Sequence, residues 1–279
     1  MMSNRIQAKR QIWTVNEQGF RRRSDVVAVE EPLEIQLRVG DRRHTVAITM
    51  RTPGNDYELA AGFLHSEGVV IDKVDISRMI YCVDGEHERQ EYNELAVYLR
   101  RETMPDLPQL DRHFFTNSAC GVCGRTMLDD LETRSLPPLS TETLVPPKTL
   151  AQIPDTLLRE QRLFARTGGL HAAGLFDIDG KLVALREDVG RHNALDKLIG
   201  WGLLQRRLPF EDQIVVASGR ASYELLHKCR IAGASIFCAV SAPSSLAIEL
   251  AERFGITLVA FLRDATFNIY THPQRIALT

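Results

Sequence analysis

Cys120 and Cys123 form the one close cysteine pair of the chain, within Thr116-Asn-Ser-Ala-Cys-Gly-Val-Cys-Gly-Arg-Thr-Met-Leu-Asp129. Gly121 and Gly124 interrupt any regular helix or strand at that point. Thr126-Met-Leu-Asp-Asp-Leu-Glu132 reads as the first turns of a helix, with acidic residues near its start. The thiols are therefore predicted on a turn just before a helix N-terminus, where backbone N–H groups and Arg125 favour thiolate over thiol. Three chemistries fit such a pair. A zinc site needs about four ligands, and Cys82, Cys229, Cys238 or His171 would have to converge on the pair from afar. A dithiol–disulfide exchanger of the thioredoxin type places its pair after the first strand of a βαβ unit, whereas this one lies mid-chain. The third is sulfur transfer, in which a low-pKa accessible thiolate is reversibly persulfidated.

A second set of polar residues lies further on. Ser218-Gly-Arg-Ala-Ser222, Ser241-Ala-Pro-Ser-Ser245 and Arg263–Asn268 each follow an apolar run: Ile214–Ala217, Ser235–Val240 and Thr257–Leu262. Helices are predicted from Tyr223 to Ile231 and from Leu246 to Phe254, each with a glycine just beyond its end. Strand–helix–strand–helix–strand with short connections implies parallel pairing and right-handed crossovers. All three polar segments then leave the carboxyl edge of one sheet, where open α/β sheets bind ligands. Ser218, Gly219, Arg220, Ser222, Ser241 and Ser244 at helix N-termini, with Arg263, suit an anionic, phosphorylated ligand. A serine before a helix is also an ordinary N-cap, so each turn taken alone has two readings. No GxxxxGK[ST] or GxGxxG fingerprint is present.

Glu187, Asp188, Arg191, His192, Asp196 and Lys197 cluster in one stretch. A helix is expected there, through about Ile199 and stopped by Gly200. At i, i+4 spacing Asp188–His192 and His192–Asp196 would be neighbours on it, either as a solvated charged face or as a place where Arg191 and His192 touch substrate or move a proton. His171, after Gly168-Gly169, is the other imidazole candidate.

These segments need elements to position them. Residues 1–25, ending in Arg21-Arg22-Arg23, read as a basic, solvated tail. Residues 26–110 read as a small mixed α+β unit. It has a hairpin across Gly40-Asp41, a helix capped by Asp56 with Leu59, Ala60, Phe63 and Leu64 on one face, and strands near Met79–Val83 and Leu95–Leu99. Residues 111–150 hold the cysteine segment and a proline-rich connection at Pro137, Pro138, Pro146 and Pro147. Residues 151–279 form the α/β half, opening with an amphipathic helix (Leu157 to Phe164) and a hairpin across Asp179-Gly180. A net charge of −2 gives no global drive toward nucleic acid. No apolar run approaches the roughly 18 residues of a membrane span. Five cysteines without framework spacing, and no apolar leader at the start, favour a reduced, cytoplasmic protein.

Four motifs in order, Cys120-Gly-Val-Cys-Gly, Glu187-Asp-Val-Gly-Arg-His-Asn-Ala-Leu-Asp-Lys, Ser218-Gly-Arg-Ala-Ser-Tyr-Glu and Tyr270-Thr-His-Pro-Gln-Arg275, resemble the FdhD family of sulfur carriers. The similarity runs from about Asp25 to Arg275. It implies a sulfurtransferase that takes sulfur from a cysteine desulfurase and passes it to the molybdenum (or tungsten) bis-pterin guanine dinucleotide cofactor before insertion into apo-formate dehydrogenase. By that resemblance Cys120 carries the persulfide and Cys123 is its companion. Phe261, Leu262, Arg263, Asp264, Ala265 and Thr266 match the cofactor-binding segment, in which the family usually has a glycine and a second arginine where this chain has Asp264 and Thr266. A guanine nucleotide, GDP or GMP, should act as a mimic of the bound cofactor, with no metal held by the protein itself. The resemblance also implies a homodimer and a C-terminal domain of cytidine-deaminase-like α/β fold; the H-x-E and P-C-x-x-C of zinc deaminases are absent. Two other functions remain open: a non-catalytic cofactor-binding chaperone, and a thiol–disulfide exchanger.

Overall fold

The computed structural model describes residues 6–82, 92–105, 136–140 and 142–278. The alternating run Glu31–Val39 (β3) turns at Gly40, whose φ of +56° favours glycine, into Arg42–Arg51 (β4). Glu94–Leu99 (β6) joins β3 in parallel and Ile76–Tyr81 (β5) closes a sheet of order β4-β3-β6-β5. Helix α1 (Asp56–Ser66) lays Leu59, Ala60, Ala61 and Leu64 against Leu33, Ile35, Leu37, Leu95 and Val97. Its N-cap is Asn55, at φ +57°, rather than Asp56. Asp56 is buried instead against Arg51, with Nη2 donating to Oδ2 at 3.0 Å.

A second, six-stranded sheet has the order β12-β11-β10-β9-β7-β8. Its members are His171–Asp177 (β7), Leu182–Asp188 (β8), Gln213–Ala217 (β9), Ile236–Ala239 (β10), Thr257–Arg263 (β11) and Thr266–Ile269 (β12). β9, β10 and β11 run parallel, β7 runs against β9, and β12 runs against β11. The α/β class read from the sequence is the class of the molecule. The β7–β8 turn forms as its Asp-Gly signal predicts: Asp177 Oδ1 accepts from the N–H groups of Asp179 (3.1 Å) and Lys181 (2.8 Å).

One face of this sheet is covered by α4 (Arg191–Leu204), α5 (Tyr223–Ile231) and α6 (Ser245–Phe254). The other is covered by α2 (Pro147–Glu160), through Leu150, Ile153 and Leu157, and a one-turn helix α3 (Phe164–Thr167) follows. The expected helix over Leu157 to Phe164 is thus the end of α2 and a separate turn. The proline-rich connection also shortens, because Pro147 opens α2 at a position where its missing N–H costs nothing.

Gly200 does not stop α4. A Cβ on Gly200 would fall 1.8 Å from the carbonyl oxygen of Glu58 in α1, and one on Gly62 would fall 1.9 Å from that of Asp196 in α4. The glycine is there for a backbone-to-backbone helix crossing, not for termination. Leu203 then reaches the core of the four-stranded sheet while Ala194, Leu195, Leu198 and Ile199 sit in that of the six-stranded one, so α4 serves both.

The expected basic tail is a two-stranded ribbon, Gln7–Asn16 (β1) with Gly19–Ala28 (β2). Its arginines masked a period-two pattern that sets Val15 opposite Phe20, with Trp13 edge-on to Phe20 at 5.5 Å between ring centroids. Among the described residues no helix is long and apolar enough to cross a membrane.

Candidate functional site at the carboxyl edge of the sheet

The polar segments after β9 and β10 are sewn to each other and to Phe261 of β11 in one rim. Ser241 N–H donates to Gly219 O (3.2 Å), Ala221 N–H to Ala242 O (3.1 Å), Ser244 N–H to Ala221 O (3.0 Å) and Phe261 N–H to Ser241 O (3.2 Å). Because β7 runs against β9, its first residues lie at the same edge. Ser218 N–H donates to Ala172 O (3.0 Å) and Ser218 Oγ accepts from Ala172 N–H (2.9 Å). His171 is thereby set beside Gly219, where an added Cβ would be 3.6 Å from His171 Nδ1 and 3.7 Å from Arg191 Cδ.

Arg191 and His192 come to this rim on the first turn of α4, whose N-cap is Gly190. Asp188, expected on the helix face, is the last residue of β8 and fully buried. It is held by Lys197, with Nζ 2.6 Å from Oδ2, and it accepts from Thr52 N–H (3.1 Å) and Gly190 N–H (2.9 Å). Thr52 completes the clasp from the other sheet, its Oγ1 accepting from Val189 N–H (3.1 Å) and its carbonyl from Lys197 Nζ (2.8 Å). Asn193 Nδ2 adds a bond to Met50 O at 2.8 Å. The turn that carries Arg191 and His192 is thus fixed by residues about 140 positions earlier. Pattern reading cannot see such a partner, so Thr52 was missed.

His192 meets a residue the sequence reading did not single out. Its Nε2 lies 2.7 Å from Glu224 Oε2, in the first turn of α5, and 3.4 Å from Ser222 Oγ. The hydrogen bond from His192 holds the Glu224 carboxyl well below its ordinary range, at about 2, so it is ionised at neutral pH. Burial pushes the His171 imidazole toward its neutral form, and the nearby Arg191 and His192 add to this against the opposing pull of Asp188. The spacing does offer a signal: Glu224 is two residues past the helix-capping Ser222, on the same rim.

The two serine-rich turns differ in what their hydroxyls do. Ser244 is the N-cap of α6, its Oγ accepting from Ala247 N–H at 3.2 Å. Ser218 is taken by Ala172. Ser222 occupies the N-cap position of α5 with no side-chain cap bond and sits against His192 instead. The rim brings together His171, Arg191, His192, Ser218, Gly219, Ser222, Ser241 and Phe261. Arg220 and Arg263 are exposed there, while Leu262 is turned into the core with Ile236, Cys238 and Val259.

The third segment is shorter than expected. Only Asp264 and Ala265 form the turn, at φ +52° and +56°, and Thr266 already begins β12. Phe261 has φ +54°, and the β11–β12 register shifts between Ala260 and Arg263, so the strand is bulged where it meets the rim. Bulges and left-handed non-glycine residues are devices that re-aim a strand next to a site.

Cys120 and Cys123 lie outside the described residues. Cys229 and Cys238 are buried in the core, and burial raises both thiols far above their ordinary range, which makes them inert packing groups. Among the described residues no three His, Cys, Asp or Glu side chains gather as for a metal ion.

The molecule is an open α/β sheet joined through one shared helix to a smaller sheet. The chain belongs to the FdhD/NarQ family, whose model matches residues 28–277. It is 47% identical to a protein of Nocardia farcinica named sulfur carrier protein FdhD, over 99% of this chain and 96% of the relative. A protein of the same name from Streptomyces coelicolor is 45% identical over 98% and 97% of the two chains. A crystal structure of "a putative formate dehydrogenase accessory protein from Desulfotalea psychrophila" superposes with a TM-score of 0.75 at 27% identity, covering 97% of this chain and 99% of that one.

Proposed function

We propose that this chain is a sulfur carrier in formate dehydrogenase maturation. It receives sulfur from a cysteine desulfurase as a persulfide on Cys120, aided by Cys123. It delivers that sulfur to a molybdenum or tungsten bis-pterin guanine dinucleotide, its substrate, held at the rim described above. The observation that carries this reading is the hydrogen-bonded rim that joins the loops after β9 and β10 to Phe261 of β11, with Arg191 and Arg220 at the same carboxyl edge. Such an edge suits phosphates. The full-length kinship with proteins named sulfur carriers supports the chemistry. The protein works in the reducing cytoplasm, as a homodimer.

The test is mass spectrometry after incubation with a desulfurase and cysteine under anaerobic conditions. A persulfide on Cys120, absent in Cys120→Ala, together with loss of formate dehydrogenase activation in that variant, is the expected result. Full activation by Cys120→Ala would leave the cofactor-chaperone reading, and reductant-driven disulfide reduction without an adduct would leave the exchanger.

A further inference from the structure

The β1–β2 ribbon stands outside the packed body: none of its side chains joins an apolar core. A ten-residue strand is about 34 Å long. A two-stranded ribbon by itself is at best marginally stable in water. Its outer end nevertheless displays Trp13 at 63%, Val15 at 75% and Phe20 at 75% exposure. The register sets these three on one face, with Arg22 directly across from Trp13. Arg10, Arg21 and Arg23 take the opposite face. Arg23 is engaged by Thr14 Oγ1 (2.8 Å) and Asp25 (3.4 Å), whereas among the described residues Arg21 and Arg22 have no polar partner. Five basic side chains against two acidic ones lie in residues 7–28 of a chain whose net charge is −2, so the positive charge is local to the ribbon.

Trp, Phe and Arg displayed together are the side chains that anchor protein–protein interfaces. The basic groups are split between both faces, so they form no single track for a nucleic acid backbone. Like charge keeps two ribbons from pairing with each other. The complement of this surface is an acidic protein face with an apolar recess. The root of the ribbon lies beside the rim. Ile6 O accepts from Val29 N–H (3.1 Å), and Ile6 Cγ2 is 3.9 Å from where a Cβ on Gly54 would stand. Gly54 is two residues beyond Thr52, which clasps the turn carrying Arg191 and His192. β2 also packs on α3, where Glu187 accepts from Leu163 N–H (3.0 Å) and Phe164 N–H (2.8 Å). A protein that takes up the rim's ligand has to approach that edge, and the ribbon starts there. Resting on the proposed function, we propose that the ribbon is a docking arm for that recipient, apo-formate dehydrogenase, which it engages through an acidic surface. Trp13 and Phe20 enter an apolar recess, and Arg22 pairs with a carboxylate beside it.

The test is binding of the full chain, carrying no sulfur, to purified apo-formate dehydrogenase, read by biolayer interferometry. Phe20→Ser and Arg22→Glu change exposed side chains, and each should weaken binding on the order of 30-fold, the size of an interface hot spot. Added salt should weaken the unmodified chain more than Arg22→Glu. Backbone amides of residues 12–22 should gain protection from hydrogen exchange in the complex. Unchanged affinity in both variants, or no binding by the unmodified chain, overturns the proposal. It is equally overturned if the two substitutions spare the apo-enzyme and reduce binding to a cysteine desulfurase, an RNA oligonucleotide, phosphatidylglycerol vesicles or a second copy of the chain. The sulfur-carrier reading fails by a different sign, the lack of a persulfide on Cys120, and these binding measurements need no sulfur.

Discussion

Asp188 and Lys197 face each other at 2.6 Å with essentially no solvent access to either, and they fasten the turn that presents Arg191 and His192. Removing one member leaves a buried charge without its counter-charge. Lys197→Met is expected to destabilise the protein by about 3–5 kcal/mol, and Asp188→Asn by a comparable amount, read by urea unfolding. The double variant Asp188→Asn/Lys197→Met should recover part of either loss. Strictly additive losses would show that the two are not coupled.

Arg191 borders the rim, its Cδ 3.7 Å from where a Cβ on Gly219 would stand. If the rim holds a guanine nucleotide, Arg191→Ala should weaken GDP binding on the order of 10-fold, the size of one charge-assisted bond. Titration calorimetry measures this directly. An affinity unchanged within about twofold would place the phosphates elsewhere.

The crossing of α1 and α4 makes a steric prediction. Gly200→Ala puts a methyl group 1.8 Å from Glu58 O, closer than any real contact, so the helices must part. The expected cost exceeds about 2 kcal/mol, more than the helix propensity gained from alanine. A thermal melt equal to that of the unmodified chain would refute the close approach.

Ala265 adopts φ +56° on an exposed turn, where glycine carries no strain. Ala265→Gly should stabilise the chain by about 1 kcal/mol, less the entropy glycine adds to the unfolded state. The gain would appear as a shift of a few degrees in Tm.

His171 gives the stability a pH dependence of known sign. Its folded pKa lies below the unfolded value of 6.5, so between the two the unfolded chain binds the extra proton. Stability contributed here is complete above 6.5 and declines as the pH falls toward the folded value. His171→Asn should flatten the fall of the denaturation midpoint as the pH drops below about 6.5. An unchanged slope would mean that the imidazole titrates freely.

Short-range signals were legible and long-range ones were not. Glycines just beyond Ile231 and Phe254, and the Asp-Gly turn before β8, located their elements because the causes lie within a few residues. The carboxyl-edge site was legible for the same reason, since parallel order follows from chain order. Three readings failed where distant partners decide the outcome. Gly200 resembles a helix stop until Glu58 is seen across from it. Asp188 resembles a helix-surface carboxylate until Lys197 and Thr52 are seen around it. Phe261 gives no local sign of a left-handed residue, because the bulge is imposed by pairing with β12.

The glycine crossing has a mechanical side as well. With carbonyl oxygens of Glu58 and Asp196 seated in the hollows left by Gly200 and Gly62, α1 and α4 have no side-chain cushion over which to slide or roll. The smaller sheet and the larger one turn as a single casting, and the span between Thr52 and the rim is a built-in dimension of the molecule.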